Sequence, residues 1–204
     1  MKRALLFSAA LAACGAAQAA GIGVRAGTTG IGADVAWDLV PTISARVGYS
    51  ALKWGYDVNT SNASYDGDVK LSNLSGLLDF HPLGPAFRLT GGVILNDNKY
   101  QATGRPSVGF GSFDATVEPA HRAAPYLGIG WGNVSGTGVN FYADLGVMFM
   151  GSPKATINAN CTGLSAGNCA TVQSLAAQQQ AELEDKLKSF KAYPVLNLGL
   201  TIGF

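Results

Sequence analysis

The chain has 204 residues, which suits one domain, and it carries a formal net charge of +1 with only 13% charged residues. That charged share is about half that of an ordinary soluble domain, and the near balance of charge argues against nucleic acid as a partner. The longest apolar-rich run, Ala4–Ala13, is too short for a membrane-spanning helix of about 20 residues. A membrane crossing would therefore need strands.

Residues 1–20 have the pattern of a cleaved secretory signal, so residues 21–204 are the predicted mature domain. Lys2 and Arg3 form the charged region and precede the apolar run, and Ala17-Gln18-Ala19 is a small-x-small cleavage site. Loss of Lys2 and Arg3 leaves basic and acidic residues almost equal in number. The mature chain therefore has no charge excess that would favour an anionic surface.

Strict alternation of apolar with polar or small residues recurs along the mature chain. From Val139 to Phe149, for example, Val139, Phe141 and Leu145 alternate with residues such as Asn140 and Asp144. Successive side chains of a strand point to opposite faces, so each such segment has one apolar face. The segments are about 21–38, 42–56, 67–80, 86–103, 113–132, 138–157 and 193–204.

The segment lengths and the aromatic residues favour a membrane barrel over a soluble sandwich. Soluble strands usually have five or six residues, whereas a tilted strand needs about 9–11 residues to cross a bilayer. Aromatic residues recur near the segment ends, as in the interfacial girdles of barrels. These residues are Trp37, Tyr49, Trp54, Phe80, Phe87, Tyr126, Trp131 and Tyr193.

The segments number seven, whereas bacterial single-chain barrels have even numbers of strands. A hairpin at Gly27-Thr28-Thr29-Gly30 would divide the first segment and create a short strand at 21–26. The predicted fold is therefore an all-β, antiparallel transmembrane barrel of eight strands, with seven as the open alternative. An even count places both termini on the periplasmic side.

The connections alternate in length, as barrels with short periplasmic turns and long outer loops do. Short turns are predicted at 39–42, 81–86 and 133–138, and longer polar loops at 57–66, 104–112 and 158–191.

The last loop contains a predicted helix at 171–191. Leu183, Leu187 and Phe190 follow helical spacing, and Glu182/Lys186 and Glu184/Lys188 are expected i, i+4 pairs. This helix could cap the barrel mouth or lie on the surface.

Three cysteines are present, and each has its own interpretation. Cys14 ends Leu11-Ala12-Ala13-Cys14, which is similar to a bacterial lipobox, so lipidation is an alternative to its removal with the signal. Export to an oxidising space predicts a disulfide between Cys161 and Cys169. Two cysteines without a nearby histidine do not predict a metal site.

The chain ends in alternating apolar residues with a terminal aromatic residue. Leu200, Ile202 and Phe204 have the pattern that outer-membrane insertion machinery recognises, so this machinery is an expected partner. The alternative is an ordinary last strand.

Several stretches resemble, in the same order and over nearly the whole mature chain, the CarO-like family of outer-membrane proteins. The more specific ones are Pro125-Tyr126-Leu127-Gly128 and Gly151-Ser152-Pro153-Lys154. The resemblance implies an eight-stranded barrel and, because the family is associated with ornithine uptake and carbapenem susceptibility, passage of small solutes. The further stretches are Arg25–Gly30, Gly32-Ala33, Tyr65–Asp68, Asp144–Val147 and Tyr193-Pro194-Val195.

Alternation places charges of both signs inside the barrel. An eight-stranded barrel is just wide enough for side chains to fill it, and isolated buried charges are costly, so these groups should pair. They could form a salt-bridged plug, or they could line a path for a small zwitterion or cation. The candidate lumen-lining residues are Arg25, Asp34, Asp38, Arg46, Asp79, Arg88 and Asp144.

Catalysis is not predicted. The chain has two histidines, and neither His81, in a turn, nor His121, near a strand end, lies in a motif for nucleophilic chemistry. No cofactor or metal is expected.

The sequence thus predicts a monomeric outer-membrane barrel surrounded by outer-membrane lipid. The main functional hypothesis is a narrow channel for small amino-acid solutes, such as basic amino acids. The alternatives are a closed structural or surface-interaction barrel that acts through its outer loops and, more distantly, a lipid A-modifying enzyme.

Overall fold

The computed structural model describes residues 19–59, 63–84, 86–106 and 112–204. The predicted signal up to residue 18, including Cys14, lies outside these ranges. The described chain contains eleven strands and one helix. The strands are β1 (Ala20–Gly27), β2 (Gly30–Val40), β3 (Ile43–Asn59), β4 (Ala63–Phe80), β5 (Phe87–Asn96), β6 (Lys99–Pro106), β7 (Ser112–Glu118), β8 (Ala123–Trp131), β9 (Gly138–Phe149), β10 (Lys154–Asn160) and β11 (Ala192–Gly203); helix α1 is Ala166–Leu187.

Eight of the strands close into an antiparallel ring in the order β1-β2-β3-β4-β5-β8-β9-β11. The ring closes where β11 pairs with β1, from Gly21↔Gly203 to Gly27↔Asn197. Thr28 and Thr29 form the turn between β1 and β2, so the predicted hairpin and the prediction of eight strands are both confirmed. Closure removes the exposed sheet edges that an open sheet would present.

The remaining three strands build an extension that we call the outer lobe. Strands β6 and β10 follow β5 and β9 after short breaks, and β7 precedes β8 in the same way. The three strands extend the sheet from the outer end of β4 in the order β4-β6-β7-β10. The outer lobe therefore comprises residues 52–59 of β3, 63–70 of β4, these three strands and α1. It lies at the end of the barrel opposite to Gly21 and Gly203. We assign the lobe end to the outer side because the other end has short turns.

The lobe corrects two sequence predictions. The segments 86–103, 113–132 and 138–157 were predicted as continuous, but each divides into one barrel strand and one lobe strand. The predicted loops at 57–66 and 104–112 are also partly strand, since β3 pairs with β4 as far as Asn59↔Ser64. Local polar groups explain one break: the backbone N–H of Asn98 donates to the Asn96 side chain at 2.9 Å instead of to a strand partner.

The rim of the barrel is uneven in height. On one side only Thr28 and Thr29 connect β1 to β2. On the other side β3 continues eight residues beyond Ala51, the last residue that pairs with β2. At about 3.4 Å per residue and a strand tilt of about 40°, this hairpin rises roughly 20 Å above the low side.

The ring has an apolar exterior and a polar interior. Large apolar side chains are exposed all around it, including Val24 (61%), Leu127 (63%), Phe141 (74%) and Leu198 (62%). The residues between them are buried and mainly polar. This inverted polarity is what a lipid-facing barrel requires.

Three girdle predictions are wrong. Tyr126 is 2% exposed and points inward, because it alternates with Leu127 on β8. Tyr193 packs against the interior apolar cluster, and Trp54 lies on the same face of β3 as the inward residue Arg46.

Helix α1 runs from Ala166 to Leu187, so it begins and ends earlier than the predicted 171–191. Its N-terminus is capped by the Ser165 side chain, a common capping residue. The helix packs on β10, where Gln180 Oε1 accepts a hydrogen bond from the backbone N–H of Ile157 at 3.1 Å. The helix thereby covers the edge of the lobe sheet, which would otherwise have free hydrogen-bonding groups.

The surface charges of α1 pair almost as predicted. Lys186 contacts Glu182 at 2.7 Å, as expected. Lys188 contacts Asp185 at 2.8 Å rather than the predicted Glu184, because it follows the last helical turn and its backbone N–H already bonds Asp185. No helix within the described ranges is long and apolar enough to cross a membrane.

Candidate functional site: the barrel interior

Six of the seven predicted lumen residues meet inside the ring. Alternation along six different strands directs them inward, and each is 5% exposed or less. They are three arginines and three aspartates, so their formal charges cancel. The six residues are Arg25, Asp34, Arg46, Asp79, Arg88 and Asp144. The seventh, Asp38, is half-buried nearer the periplasmic end and accepts a hydrogen bond from Ser135 Oγ at 2.5 Å.

Four of these residues form one ion-pair network across the lumen. The carboxylate of Asp144 contacts Arg46 Nη1 at 2.7 Å and Arg88 Nη2 at 2.6 Å. Asp79 lies on the other side of both arginines, at 3.2 Å from Arg46 Nε and 3.5 Å from Arg88 Nε. Thr90 Oγ1 donates to Asp79 at 2.5 Å. Each charge therefore has opposite charges beside it, as full burial requires.

The remaining two charges form a second pair that is joined to the first network. Arg25 Nη1 contacts Asp34 at 2.7 Å, and its Nη2 donates to Ser75 Oγ at 3.2 Å. The hydroxyl of Tyr142 donates to the other carboxylate oxygen of Asp34 at 2.5 Å. Tyr142 thus connects the Arg25–Asp34 pair with the arginines that lie over its ring.

Stacking and close packing fill the space between these groups. The guanidinium carbons of Arg46 and Arg88 lie 5.5 and 5.3 Å from the centre of the Tyr142 ring, which is a favourable cation–π distance. Inward-facing glycines make room for them: a Cβ at Gly199 would lie 2.2 Å from the Tyr142 ring, and one at Gly130 would lie 2.5 Å from Arg88 Nε.

An apolar layer lies on the outer side of the charged network. Leu77 and Met148 follow Asp79 and Asp144 toward the outer end of their strands, and both are buried. They pack with inward-facing residues of β5, β8 and β11 into one cluster. Its buried members are Leu77, Ile94, Ala124, Tyr126, Met148 and Val195.

The periplasmic turn after β8 folds into the barrel from the other side. Val134 is fully buried against Ala36 and Tyr142, and Arg88 donates a hydrogen bond to the carbonyl of Gly132. Next to this turn is a polar cavity of about 210 Å³ that opens toward the periplasmic end and is lined by Asp38, Pro41, Thr42, His81, Pro82, Gly84 and Asn133. The lumen is thus filled from three levels: the inserted turn, the ion-pair network and the apolar layer.

The other predicted site residues lie away from the lumen. Ile202 and Phe204 are 57% and 72% exposed, and together with Leu200 they lie on the outward face of β11. Cys161 and Cys169 are bonded to each other, with Cα atoms 5.4 Å apart, and they join the end of β10 to the first turn of α1. Among the described residues, no three His, Cys, Asp or Glu side chains are grouped so as to hold a metal ion.

The outer lobe has its own inward face, which continues the interior of the barrel but is apolar. Trp54, Tyr56 and Tyr65 lie on it and are 65%, 51% and 51% exposed. Tyr100 lies on the same face and is half-buried. This burial and the neighbouring Tyr193 raise the pKa of Tyr100 to about 12. The tyrosine is therefore neutral and suited to apolar contact.

Sequence reasoning missed two parts of this site. The inward direction of Tyr126 could have been found from Leu127 and Trp131, which alternate with it and face outward. The inserted turn at Asn133–Ser135 gave no such signal, since polar turn residues ordinarily lie in solvent.

Comparison with known proteins agrees with this architecture. No protein-family model and no curated protein matches the sequence. Among solved structures, CarO2 of Acinetobacter baumannii superimposes with a TM-score of 0.65 at 19% identity, over 91% of this chain and 98% of that chain. CarO of the same organism gives 0.62 at 20% identity, over 90% and 97%. The chain therefore has the fold of the CarO-like proteins that its sequence resembles, an antiparallel β-barrel with an apolar outer belt.

Proposed function

We propose that this protein is a barrel with a closed lumen, and that it acts at the cell surface through its outer lobe rather than as a steady channel. The observation that carries the proposal is the network of Arg46, Asp79, Arg88 and Asp144, which spans the lumen with every charge buried and paired.

A solute that crossed this layer would have to separate buried ion pairs. Breaking one such pair costs about 3–5 kcal/mol because it leaves an uncompensated buried charge. The apolar layer around Met148 and the inserted turn around Val134 would also have to move. Passage of a basic amino acid, the main hypothesis from the sequence, therefore requires three layers to rearrange together.

The outer lobe supplies the surface for the alternative role. It extends beyond the apolar belt, and its inward face exposes Trp54, Tyr56 and Tyr65. Aromatic side chains provide large, rigid contact areas with little loss of conformational entropy and are enriched in binding surfaces. The barrel then serves as the anchor and the lobe as the contact surface.

Single-channel recording of the mature protein in a planar bilayer tests closure. We expect inserted protein, verified by its heat-modifiable mobility in gels, to give no stable conductance steps. Ornithine and glutamate are compared as blockers of any current. Reproducible openings that ornithine blocks in preference to glutamate would refute closure and support the channel hypothesis, with Asp79 and Asp144 as the next targets.

A further inference from the structure

A row of basic side chains crosses the outward face of the lobe just above the barrel. Lys53 of β3 pairs directly with Lys70 of β4, and Lys70 pairs directly with Lys99 of β6. The row continues through Glu118 of β7, which contacts Lys99 at 2.6 Å and is paired in register with Lys154 of β10. Four lysines and one glutamate thus lie on one line of paired residues across five adjacent strands. We call these five residues the lysine row.

The lysine row is unfavourable as an isolated protein surface. Directly opposed residues on antiparallel strands have Cβ atoms about 5 Å apart, and like charges in that position destabilise the sheet. Among the described residues, no carboxylate oxygen lies within 4.0 Å of the amino groups of Lys53, Lys70 or Lys154. The excess positive charge therefore calls for an anion from outside the chain.

The position of the row identifies the source of that anion. Tyr49, Leu74 and Leu95 are the last large apolar side chains of the lipid-facing belt on β3, β4 and β5. Lys53, Lys70 and Lys99 follow them by four residues each, or roughly 10 Å above the belt for strands tilted by about 40°. Lysine stems can reach back along the apolar surface while the amino groups stay in the polar region. The amino groups therefore lie at the level of lipid headgroups.

The charges farther out reverse in sign. Asp57 of β3 pairs directly with Asp66 of β4, four residues beyond Lys53 and Lys70 on the same outward face. Asp68 of β4 lies on the same face, and Arg105 contacts Asp66 at 2.9 Å, so this band keeps a net negative charge that repels an anion. The two bands together favour a phosphate at the membrane surface and disfavour one farther from it.

We propose that the lysine row binds the phosphate groups of phosphorylated glycolipid, such as lipid A, in the outer leaflet beside β3, β4 and β6. The inference rests on the outer-membrane location and is independent of whether the lumen conducts. The nearby cleft of about 130 Å³ shares Lys99 and Glu118 with the lysine row and also contains Arg122, but we do not place the phosphate in it. There Glu118 and Asp97 already contact the two cations, at 2.6 and 2.5 Å.

Native mass spectrometry of the refolded mature protein in detergent tests the proposal. Bis-phosphorylated lipid A is titrated against dephosphorylated lipid A with the same acyl chains. We expect wild-type protein to bind the phosphorylated form at least tenfold more tightly. The double variant Lys53→Gln/Lys70→Gln should lose this preference, because each basic residue near an anionic surface contributes severalfold to binding.

A matched double variant controls for the loss of two positive charges. Lys186→Gln/Lys188→Gln removes two exposed lysines from α1 and should keep the preference. Wild-type protein without a preference, or a Lys53/Lys70 variant that retains it, would overturn the proposal. Inorganic phosphate at 10 mM should leave the lipid bound. Displacement of the lipid by it would assign the row to free phosphate instead.

The stability of Lys70→Gln provides a second test, with an expected change of sign. In zwitterionic micelles its unfolding midpoint should equal or exceed that of wild type, since the substitution removes like-charge repulsion. In bilayers that contain phosphorylated lipid A, its midpoint should fall below that of wild type. A decrease in both environments would show that Lys70 has a structural role within the sheet and would contradict lipid binding.

Discussion

The barrel and the outer lobe share the continuous strands β3 and β4, yet their two faces have opposite polarity. On β4 the inward face carries Asp79 and Ser75 in the barrel but Tyr65 in the lobe, while the outward face changes from Leu78 to Lys70. The same alternation of side chains therefore satisfies lipid outside the barrel and water outside the lobe. The apolar face of a strand therefore changes sides at the point where the surrounding medium changes from lipid to water.

The two regions should differ most in how much each ion pair contributes to the free energy of unfolding. Asp144→Asn should lower the free energy of unfolding by about 3–5 kcal/mol, because Asp144 is 2% exposed and its loss leaves Arg46 and Arg88 incompletely paired. Asp66→Asn in the lobe should cost at most about 1 kcal/mol, since Asp66 and Arg105 are well exposed.

Urea unfolding of both variants in micelles, followed by tryptophan fluorescence, measures the two costs. Equal costs for Asp144→Asn and Asp66→Asn would contradict the view that buried charge pairing is confined to the barrel.

Loss of the disulfide should destabilise the outer lobe and leave the barrel unchanged. Replacing Cys161 and Cys169 with serine removes a constraint on a loop of sequence separation 8, for which the chain-entropy model predicts about 2–3 kcal/mol. Hydrogen–deuterium exchange should become faster in α1 and β10, while exchange in β1 and β11 stays the same. Faster exchange throughout the ring would mean that the lobe and the barrel unfold as one unit.

The smallest expected effect is the pH dependence of helix α1, which arises from its surface charges. Hydrogen bonds from Lys186 and Lys188 lower the pKa of Glu182 and Asp185, respectively. A lowered carboxylate pKa stabilises the folded form above the unfolded-state pKa, and this stabilisation is lost as the pH falls through the folded-state pKa. Acidification from pH 6 to pH 3 should therefore reduce the helical Cα chemical shifts at residues 182–187.

A lysine substitution tests the origin of that pH response. Lys186→Gln should weaken the response at Glu182 and leave the one at Asp185, whereas an unchanged response at Glu182 would refute the assignment. The barrel signals should not change over this range in either protein.

The alternation of side chains allowed the ring and the inward charges to be predicted, because successive side chains of a strand point to opposite faces of the sheet. It did not reveal where strands leave the barrel. Residues 73 and 96 pair in the same register as Lys70 and Lys99. The alternation of inward and outward residues therefore continues unchanged across the break at 97–98. The breaks depend on which strands continue to pair, which is a property of the whole sheet.

The sequence also did not predict which side chains pair with each other in the candidate site. Alternation placed Asp34, Asp79 and Asp144 inside, but it could not say that Asp144 bridges two arginines while Asp34 pairs with Arg25 and Tyr142. Those contacts depend on the stagger of strands around the ring. The role of Asp38 differs for the same reason, since the inserted turn supplies Ser135 as its partner.

The uneven rim has a consequence for what large molecules in the surroundings can reach. On the low side, Thr28 and Thr29 are the whole connection, and Thr29 is only 2% exposed. On the high side, the β3–β4 hairpin and α1 present long stretches of exposed chain. An antibody or a protease that approaches the outer end therefore reaches the β3–β4 hairpin and α1 first, well before the β1–β2 turn.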